Sequence, residues 1–341
     1  MKRTLSLFLA AALTLPLLAG CGPKTTSESS SQPGGSDTSS MVDSSEAVTS
    51  LPNVMVLYGP TVVGAAKMMS DGGAVNFEVV TDNSEIQAAL NNKTADIAAI
   101  ATNAAAVLSA RNEESIQVLA VNTLGVLYIL EKGDTVRSIA DLAGRTLYCP
   151  SNTKGANPEH ILKHLLEGSG VAPSEVNIEW LTPQEITAQI TSSDTGICML
   201  PVPAATALMV QDSGVREAVS MSEAWEELEG DPLPMGCVVA RTAYIEENPQ
   251  AVENFLAAYE ESIRYMSDPA NLTDAANLVA EYGIAPNAKV AEKAIPQCSL
   301  TFLTGQEMRN VLESYYEVLF QTEPKSIGGG LPYDSFYYGV D

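Results

Sequence analysis

Three stretches in the first half of the chain recur in the second half, in the same order and at a nearly constant offset. The matching ranges are 56–60 with 146–150, 76–81 with 177–182, and 86–108 with 186–208. Chance similarity between alanine-rich helices could explain one such match, but not three in order. The sequence therefore predicts one structural pattern used twice, and this duplication constrains the fold more than any other feature.

Each copy reads as strand, helix, strand, helix, strand, helix. The predicted strands are VMVLY, FEVV and DIAAIA in the first copy and RTLY, NIEWL and GICML in the second. Short apolar strands that alternate with helices are typical of a parallel sheet covered on both faces. Asn157 followed by Pro158 predicts an N-cap and the first turn of a helix in the second copy. The pattern predicts an α/β protein with two lobes, each a mostly parallel sheet flanked by helices.

Two further extended runs follow the copies, and each is opened by a glycine. We predict that they form a two-stranded hinge near residues 126–131 and 236–241, with one strand leaving a lobe and the other returning. The first lobe is then built from residues 51–125 plus the mainly helical residues 241–341, and the second lobe from residues 126–240. A cleft between the two lobes follows from this arrangement.

The N-terminal residues read as an export signal. Lys2 and Arg3 precede an apolar run that is too short to span a bilayer as a stable helix. The run ends in Leu-Ala-Gly-Cys21, which resembles the bacterial lipobox. We expect a lipoprotein signal peptide at residues 1–20, a lipidated Cys21, and a Ser-rich disordered tether over residues 21–50. The lipid would hold the body at the extracellular face of the cytoplasmic membrane.

Charge and composition exclude several classes of function. The chain has 18 Lys and Arg against 42 Asp and Glu, a formal net charge of -24, so nucleic acid and anionic lipid surfaces repel it. It has only 2 histidines, and its body contains no GxSxG, HExxH, GxGxxG or CxxC motif. We therefore expect no enzyme activity, no cofactor, no metal site and no nucleic-acid partner.

Two motifs admit both a functional and a purely structural interpretation. Gly59 to Lys67 follows a strand like a phosphate-binding loop, but the lysine comes two positions late and no Ser or Thr follows it. His160 and His164 are spaced to ligate a metal from one helix face, with Glu167 nearby. Leucines and an isoleucine occupy the buried side of that helix. This pattern favours two histidines on a solvated or partly solvated helix face over a metal site.

The cysteines and a C-terminal group of aromatic residues also admit a functional and a purely structural interpretation. Cys149, Cys198, Cys237 and Cys298 each lie in or beside an apolar run. Such surroundings favour free buried thiols over disulfides. The aromatic residues between 333 and 338 could form a docking patch for a partner protein, but such a tail more often packs down and pins the chain end.

Ligand contacts can be predicted from the strand ends. Ligands of open parallel α/β sheets bind beyond the carboxyl ends of the strands, where loops lead into helix N-termini. The candidate residues are Tyr58, Gly59, Thr61, Thr102, Asn103 and Asn122 in the first lobe, and Asn152, Thr153, Lys154, Gly155 and Pro201 in the second. Most are neutral hydrogen-bonding groups, and Lys154 is the one cation, which could meet an anionic solute or point to water.

The body, from about residue 51 to 338, resembles the solute-binding proteins of ABC importers of the nitrate, sulfonate, taurine and thiamine-precursor type. The stretches that carry this resemblance include VLYGPTVVGAAKMM, DIAAIATNAAAVL, GANPEHIL, MLPVPAATALM and SYYEVLFQTEPKSIGGGLPYDSFYY. The resemblance implies a type II periplasmic-binding fold and solute contacts at Gly59, Thr61, Thr102, Asn103, Asn152, Thr153, Gly155 and Pro201. The sequence departs from the family pattern at residues 151–154, where relatives carry a shorter glycine-rich turn.

The function that this resemblance implies is capture of a small organic solute and its delivery to a permease and its ATPase, by a monomeric lipoprotein. Two alternatives stay open at this point. One is an enzyme on the same bilobal fold, and the other is a solute sensor or adhesive lipoprotein without transport. The sequence does not identify the solute.

Overall fold

The structure, a computed structural model, describes residues 51–72, 75–112 and 115–340. The predicted signal peptide, Cys21 and the tether lie outside these residues. No helix in the described ranges combines the length and the apolar character that crossing a membrane requires.

Eleven strands of the described residues form two sheets. The strands are β1 Asn53–Leu57, β2 Asn76–Val80, β3 Ile97–Ala101, β4 Ile116–Thr123, β5 Leu127–Lys132, β6 Thr146–Pro150, β7 Asn177–Leu181, β8 Gly196–Pro201, β9 Val215–Ser220, β10 Gly236–Arg241 and β11 Leu300–Leu303. The first sheet has the order β11-β4-β10-β3-β1-β2 and the second has the order β7-β6-β8-β5-β9. Only β10 and β11 run against the others in the first sheet, and only β5 does so in the second.

Helices connect and cover these strands. They are α1 Pro60–Asp71, α2 Asn83–Asn91, α3 Thr102–Arg111, α4 Asn157–Gly168, α5 Pro183–Ser192, α6 Ala204–Gln211, α7 Met221–Glu229, α8 Thr242–Glu247, α9 Pro249–Ser267, α10 Leu272–Glu281, α11 Ala288–Ala294 and α12 Gly305–Thr322. The two predicted copies are β1-α1-β2-α2-β3-α3 and β6-α4-β7-α5-β8-α6. Their strands stand in the equivalent orders β2-β1-β3 and β7-β6-β8. The duplicated α/β fold with mostly parallel sheets is confirmed.

The two strands predicted as the hinge occupy equivalent places in the two sheets. β10 is an antiparallel strand next to β3, and β5 is an antiparallel strand next to β8. Both strands are almost fully buried, because their apolar side chains pack on both faces of a sheet. The chain crosses between the sheets just before each of them, at residues 124–126 and 230–235. We therefore propose that the first lobe comprises residues 51–123 and 236–340, and the second residues 127–229.

The C-terminal helix α12 connects the two lobes through its aromatic residues. The ring of Tyr315 lies 5.8 Å from that of Trp225 in α7, and the Tyr316 hydroxyl donates to the Thr102 carbonyl at 2.9 Å. Phe336, in the tail that follows α12, is buried and lies 6.2 Å from the Tyr316 ring. This part of the tail therefore packs onto the body, while Tyr333 is exposed.

All four cysteines of the described residues are buried and free. Their surroundings are apolar, and burial raises the pKa of the Cys149 thiol and of the Cys298 thiol to about 12. Such thiols stay protonated at neutral pH and are poor nucleophiles. They serve as small core side chains, as their apolar sequence context predicts.

Candidate functional site

A cavity of about 490 Å³ lies between the carboxyl ends of the two sheets. The first lobe lines it with the β1–α1 turn, the start of α2, the start of α3 and Gly236 of β10. The second lobe lines it with residues 152–153 and 155–158 and with Pro201 at the end of β8. Because both lobes contribute, a molecule in this cavity touches both of them. The cavity is large enough for a small organic ligand.

The β1–α1 turn depends on a glycine. Gly59 has φ of 128° and ψ of -147°, a backbone conformation that side chains with a Cβ essentially do not adopt. This conformation lets Pro60 open α1 directly after the strand. The turn places Tyr58 and Thr61 on the cavity wall, where the Tyr58 hydroxyl donates to the Gly283 carbonyl at 2.8 Å.

Seven of the eleven residues predicted from the strand ends line the cavity. These are Tyr58, Thr61, Asn103, Asn152, Thr153, Gly155 and Pro201. They converge because the carboxyl ends of parallel strands meet at one edge of a sheet, and the two edges face each other. Contact of these residues with a solute remains a prediction.

The other four predicted residues do not line the cavity. Gly59 shapes the turn behind the wall, and Thr102 is fully buried with its hydroxyl donating to the Pro234 carbonyl at 2.8 Å. The Asn122 amide nitrogen donates to the Tyr259 hydroxyl at 2.9 Å in the core. Lys154 is exposed, and its Nζ lies 6.0 Å from the centre of the Trp180 ring.

Several lining residues were missed from the sequence. Residues 81–84 follow the carboxyl end of β2, so the same strand-end rule applies to them. Asn157 was expected to cap α4, but it lies inside the helix and its buried side chain accepts a hydrogen bond from the Tyr315 hydroxyl. Met235 ends the segment that crosses between the lobes, and no local sequence signal indicates its position.

The residues that line the cavity carry almost no charge. Among the described residues that line it, Asp82 and Tyr58 are the ionisable ones, and none is Lys, Arg or His. Hydrogen bonds from the backbone and side chain of Ser84 lower the pKa of Asp82, so this carboxylate is ionised at neutral pH. Partial burial raises the pKa of Tyr58, whose phenol is therefore neutral.

The two histidines lie on α4, away from the cavity lining. His164 Nε2 lies 2.6 Å from Glu229 Oε1, and its ring centre is 5.2 Å from that of Trp225. Burial lowers the pKa of His160. Within the described ranges, no group of three His, Cys, Asp or Glu side chains is arranged to hold a metal ion.

A mixed two-sheet body with a cleft lined from both lobes defines a class: the bilobal solute-binding proteins with the periplasmic-binding fold. A family model described as NMT1/THI5 like matches residues 69–271. The chain belongs to this NMT1/THI5-like family, as the resemblance in its sequence implied. No curated protein is similar to the chain in sequence.

Solved structures show the same fold. An ABC transporter protein from Parabacteroides distasonis superposes with a TM-score of 0.71 at 22% identity, covering 84% of this chain and 98% of that one. The periplasmic aliphatic sulphonate binding protein SsuA from Escherichia coli gives 0.66 at 15% identity, covering 85% and 92%. The alkanesulfonate-binding protein SsuA from Xanthomonas axonopodis pv. citri, bound to MOPS, gives 0.60 at 13% identity, covering 86% and 99%.

Proposed function

We propose that this protein is the solute-binding subunit of an ABC importer. It captures a small organic molecule between its lobes and delivers it to a permease that works with an ATPase. One observation carries the proposal: the cavity of about 490 Å³ is lined by both lobes at the carboxyl ends of both sheets. Solute capture and delivery need no bond-making, so we propose that the protein is not an enzyme. We also propose that it acts as a monomer.

Closure of the lobes is the step that binding energy drives. Only two segments of the chain, residues 124–126 and 230–235, run directly from one sheet to the other in the described structure. A solute that contacts both lobes favours the closed arrangement, because its contacts are complete only there. Capture with a dissociation constant of ~1 μM corresponds to about -8.2 kcal/mol, of which part is spent on closure.

We expect solute binding to make the protein body more compact. The measurement is small-angle X-ray scattering of residues 49–341 with and without a solute found by equilibrium binding. The radius of gyration should fall on binding. The free energy of unfolding should rise by about 2.7 kcal/mol at a solute concentration one hundred times the dissociation constant. Tight binding without compaction would contradict the closing mechanism, and failure of every small molecule to bind would contradict the proposed function.

We also propose that Cys21 carries the lipid that holds the protein at the extracellular face of the cytoplasmic membrane. The support is the Leu-Ala-Gly-Cys21 sequence after a basic start and a short apolar run, followed by the Ser-rich tether. Replacing Cys21 with serine should abolish incorporation of labelled palmitate in a bacterial host and move the protein from the membrane fraction to the medium or periplasm. The variant Cys298→Ser provides the control, and labelling that survives Cys21→Ser would refute the anchor.

A further inference from the structure

The similar structures include sulfonate-binding proteins, but the cleft of this chain is built differently from an oxyanion site. We infer that it selects a solute without an anionic group, namely an uncharged or cationic polar organic molecule that donates hydrogen bonds. This inference rests on the proposed function and adds the chemical class of the solute.

Side-chain charge is the first support. A protein binds an oxyanion with cationic side chains, with free backbone N–H groups at helix N-termini, or with both. Of the described residues that line the cavity, none is a cation, and Asp82 is the one charged group. The nearest candidate cation from the sequence, Lys154, lies over the Trp180 ring instead. An anion in this cavity would face a carboxylate with no compensating positive charge.

Helix N-termini supply the second support. Pro60 is the first residue of α1 and Pro158 is the second residue of α4, and both line the cavity. Proline has no N–H, so each of these helices presents one donor fewer to a ligand. The start of α3 has no proline, but its Thr102 N–H is bonded to the Met235 carbonyl at 3.2 Å.

Asp82 lines the same cavity as the start of α3, and its carboxylate accepts from the Ser84 N–H at 2.8 Å. The neighbouring Asn83 accepts a hydrogen bond from the Ala101 N–H at 3.4 Å, immediately before α3 begins. An anion in the cavity would therefore meet the negative charge of Asp82 as well as the positive end of the α3 dipole. The same carboxylate is a strong acceptor for a solute that carries N–H groups or a positive charge.

Hydroxyl and amide groups deep in the cavity supply the third support. The Thr153 hydroxyl donates to the Pro150 carbonyl at 2.6 Å, and the Thr61 hydroxyl donates to the Leu57 carbonyl. The Asn103 amide nitrogen donates to the Ser326 carbonyl at 3.2 Å. With both hydroxyl protons engaged inside the protein, the Thr153 and Thr61 oxygens remain as acceptors, while Asn103 keeps its carbonyl oxygen and its second N–H. Neutral donors remain on Asn83, Asn152 and Gln87, which suit the acceptor atoms of an uncharged solute.

Behind Gly236 lies a buried acceptor with no donor. The Tyr259 hydroxyl donates to the Thr61 carbonyl at 3.3 Å, so it must accept from the amide nitrogen of Asn122. This orients Asn122 Oδ1 toward Gly236, where it is buried without a partner. Asn122 does not line the cavity, so this oxygen lies behind the floor, and it places an acceptor rather than a donor on that side of the cleft.

The test identifies what the cleft binds. The purified body is equilibrated with a small-molecule extract of bacterial cells, separated from unbound material, and denatured, and the released molecules are identified by mass spectrometry. Heat-unfolded protein is the control for non-specific carry-over. In parallel, thermal unfolding is measured with ethanesulfonate, sulfate and nitrate. We expect a released molecule without a sulfonate, phosphate, carboxylate or nitrate group, and no thermal shift with the three anions.

A matched pair of variants tests the role of Asp82. Asp82→Asn keeps the N-cap of α2, because asparagine caps as well as aspartate, and removes only the charge. Asp194→Asn removes an exposed carboxylate that does not line the cavity. We expect Asp82→Asn to weaken binding of the identified molecule by about tenfold and Asp194→Asn to leave it unchanged, since hydrogen bonds to charged groups are the stronger kind.

The outcomes separate this inference from the proposed function. A released molecule with an anionic group, or stabilisation by ethanesulfonate, overturns the inference and leaves solute binding intact. Equal affinities of Asp82→Asn, Asp194→Asn and the unchanged protein overturn the assignment of Asp82. Recovery of no small molecule, together with no response to any anion, contradicts the proposed function itself.

Discussion

Replacing Gly236 with alanine is expected to weaken solute binding by at least tenfold. A Cβ at this position would lie 2.7 Å from both Asn122 Oδ1 and Thr61 Cγ2, and 3.2 Å from Thr123 Cβ. Carbon atoms do not approach this closely, so the added methyl group must displace the wall or floor of the cavity. A tenfold loss of affinity is about 1.4 kcal/mol, and overpacking of this kind typically costs ~1–3 kcal/mol.

Isothermal titration with the solute identified from the extract measures this effect, and denaturant unfolding measures the accompanying loss of stability. Gly330→Ala is the matched control, because a Cβ at Gly330 meets no atom within 4 Å. We expect this control to bind and unfold like the unchanged protein. If Gly236→Ala binds normally while remaining folded, the solute does not reach the floor formed by β4 and β10.

Replacing Trp225 with alanine is expected to lower the free energy of unfolding by about 3–5 kcal/mol, the usual cost of truncating a buried tryptophan. Trp225 is 1% exposed and contacts the rings of His164 in α4 and Tyr315 in α12. The Tyr315 hydroxyl in turn donates to Asn157, which lines the cavity. The substitution therefore opens a void between α7 and the helix that ties the two lobes together.

The only other tryptophan provides the control for this experiment. Trp180 is partly exposed on β7, an edge strand of the second sheet, and we expect Trp180→Ala to cost about 1 kcal/mol or less. Unfolding is followed by far-ultraviolet circular dichroism, because both substitutions alter the fluorescence signal. Equal losses of the free energy of unfolding in Trp225→Ala and Trp180→Ala would show that the Trp225 contacts between the lobes contribute little to stability.

The duplication in the sequence predicted most of the fold, because short apolar strands and their helices are local features. The two copies appear in the structure with equivalent strand orders. What local patterns do not contain is the partner of a strand. Residues 236–241 read as a buried strand, but their place between β3 and β4 depends on pairing with residues more than a hundred positions earlier.

The prediction of the candidate site from local sequence was limited in the same way. Tyr58, Thr61 and Asn152 were found because the ends of parallel strands converge wherever the sheet forms. Thr102 and Asn122 occupy equivalent strand ends, yet distant parts of the chain satisfy or cover them: the Pro234 carbonyl accepts from Thr102, and Tyr259 bonds Asn122. Such long-range partners follow from tertiary packing and are not visible in local sequence.

The strand order of the first sheet also bears on how the protein is made. β10 lies between β3 and β4, and β11 forms the outer edge beyond β4. While a ribosome synthesises the chain, β1 to β4 emerge long before the strand that must separate two of them. This sheet therefore cannot be completed before β10 and β11 have been synthesised. The second sheet is not held back in this way, because its five strands all lie within residues 127–220, so the two lobes can complete their sheets at different times during synthesis.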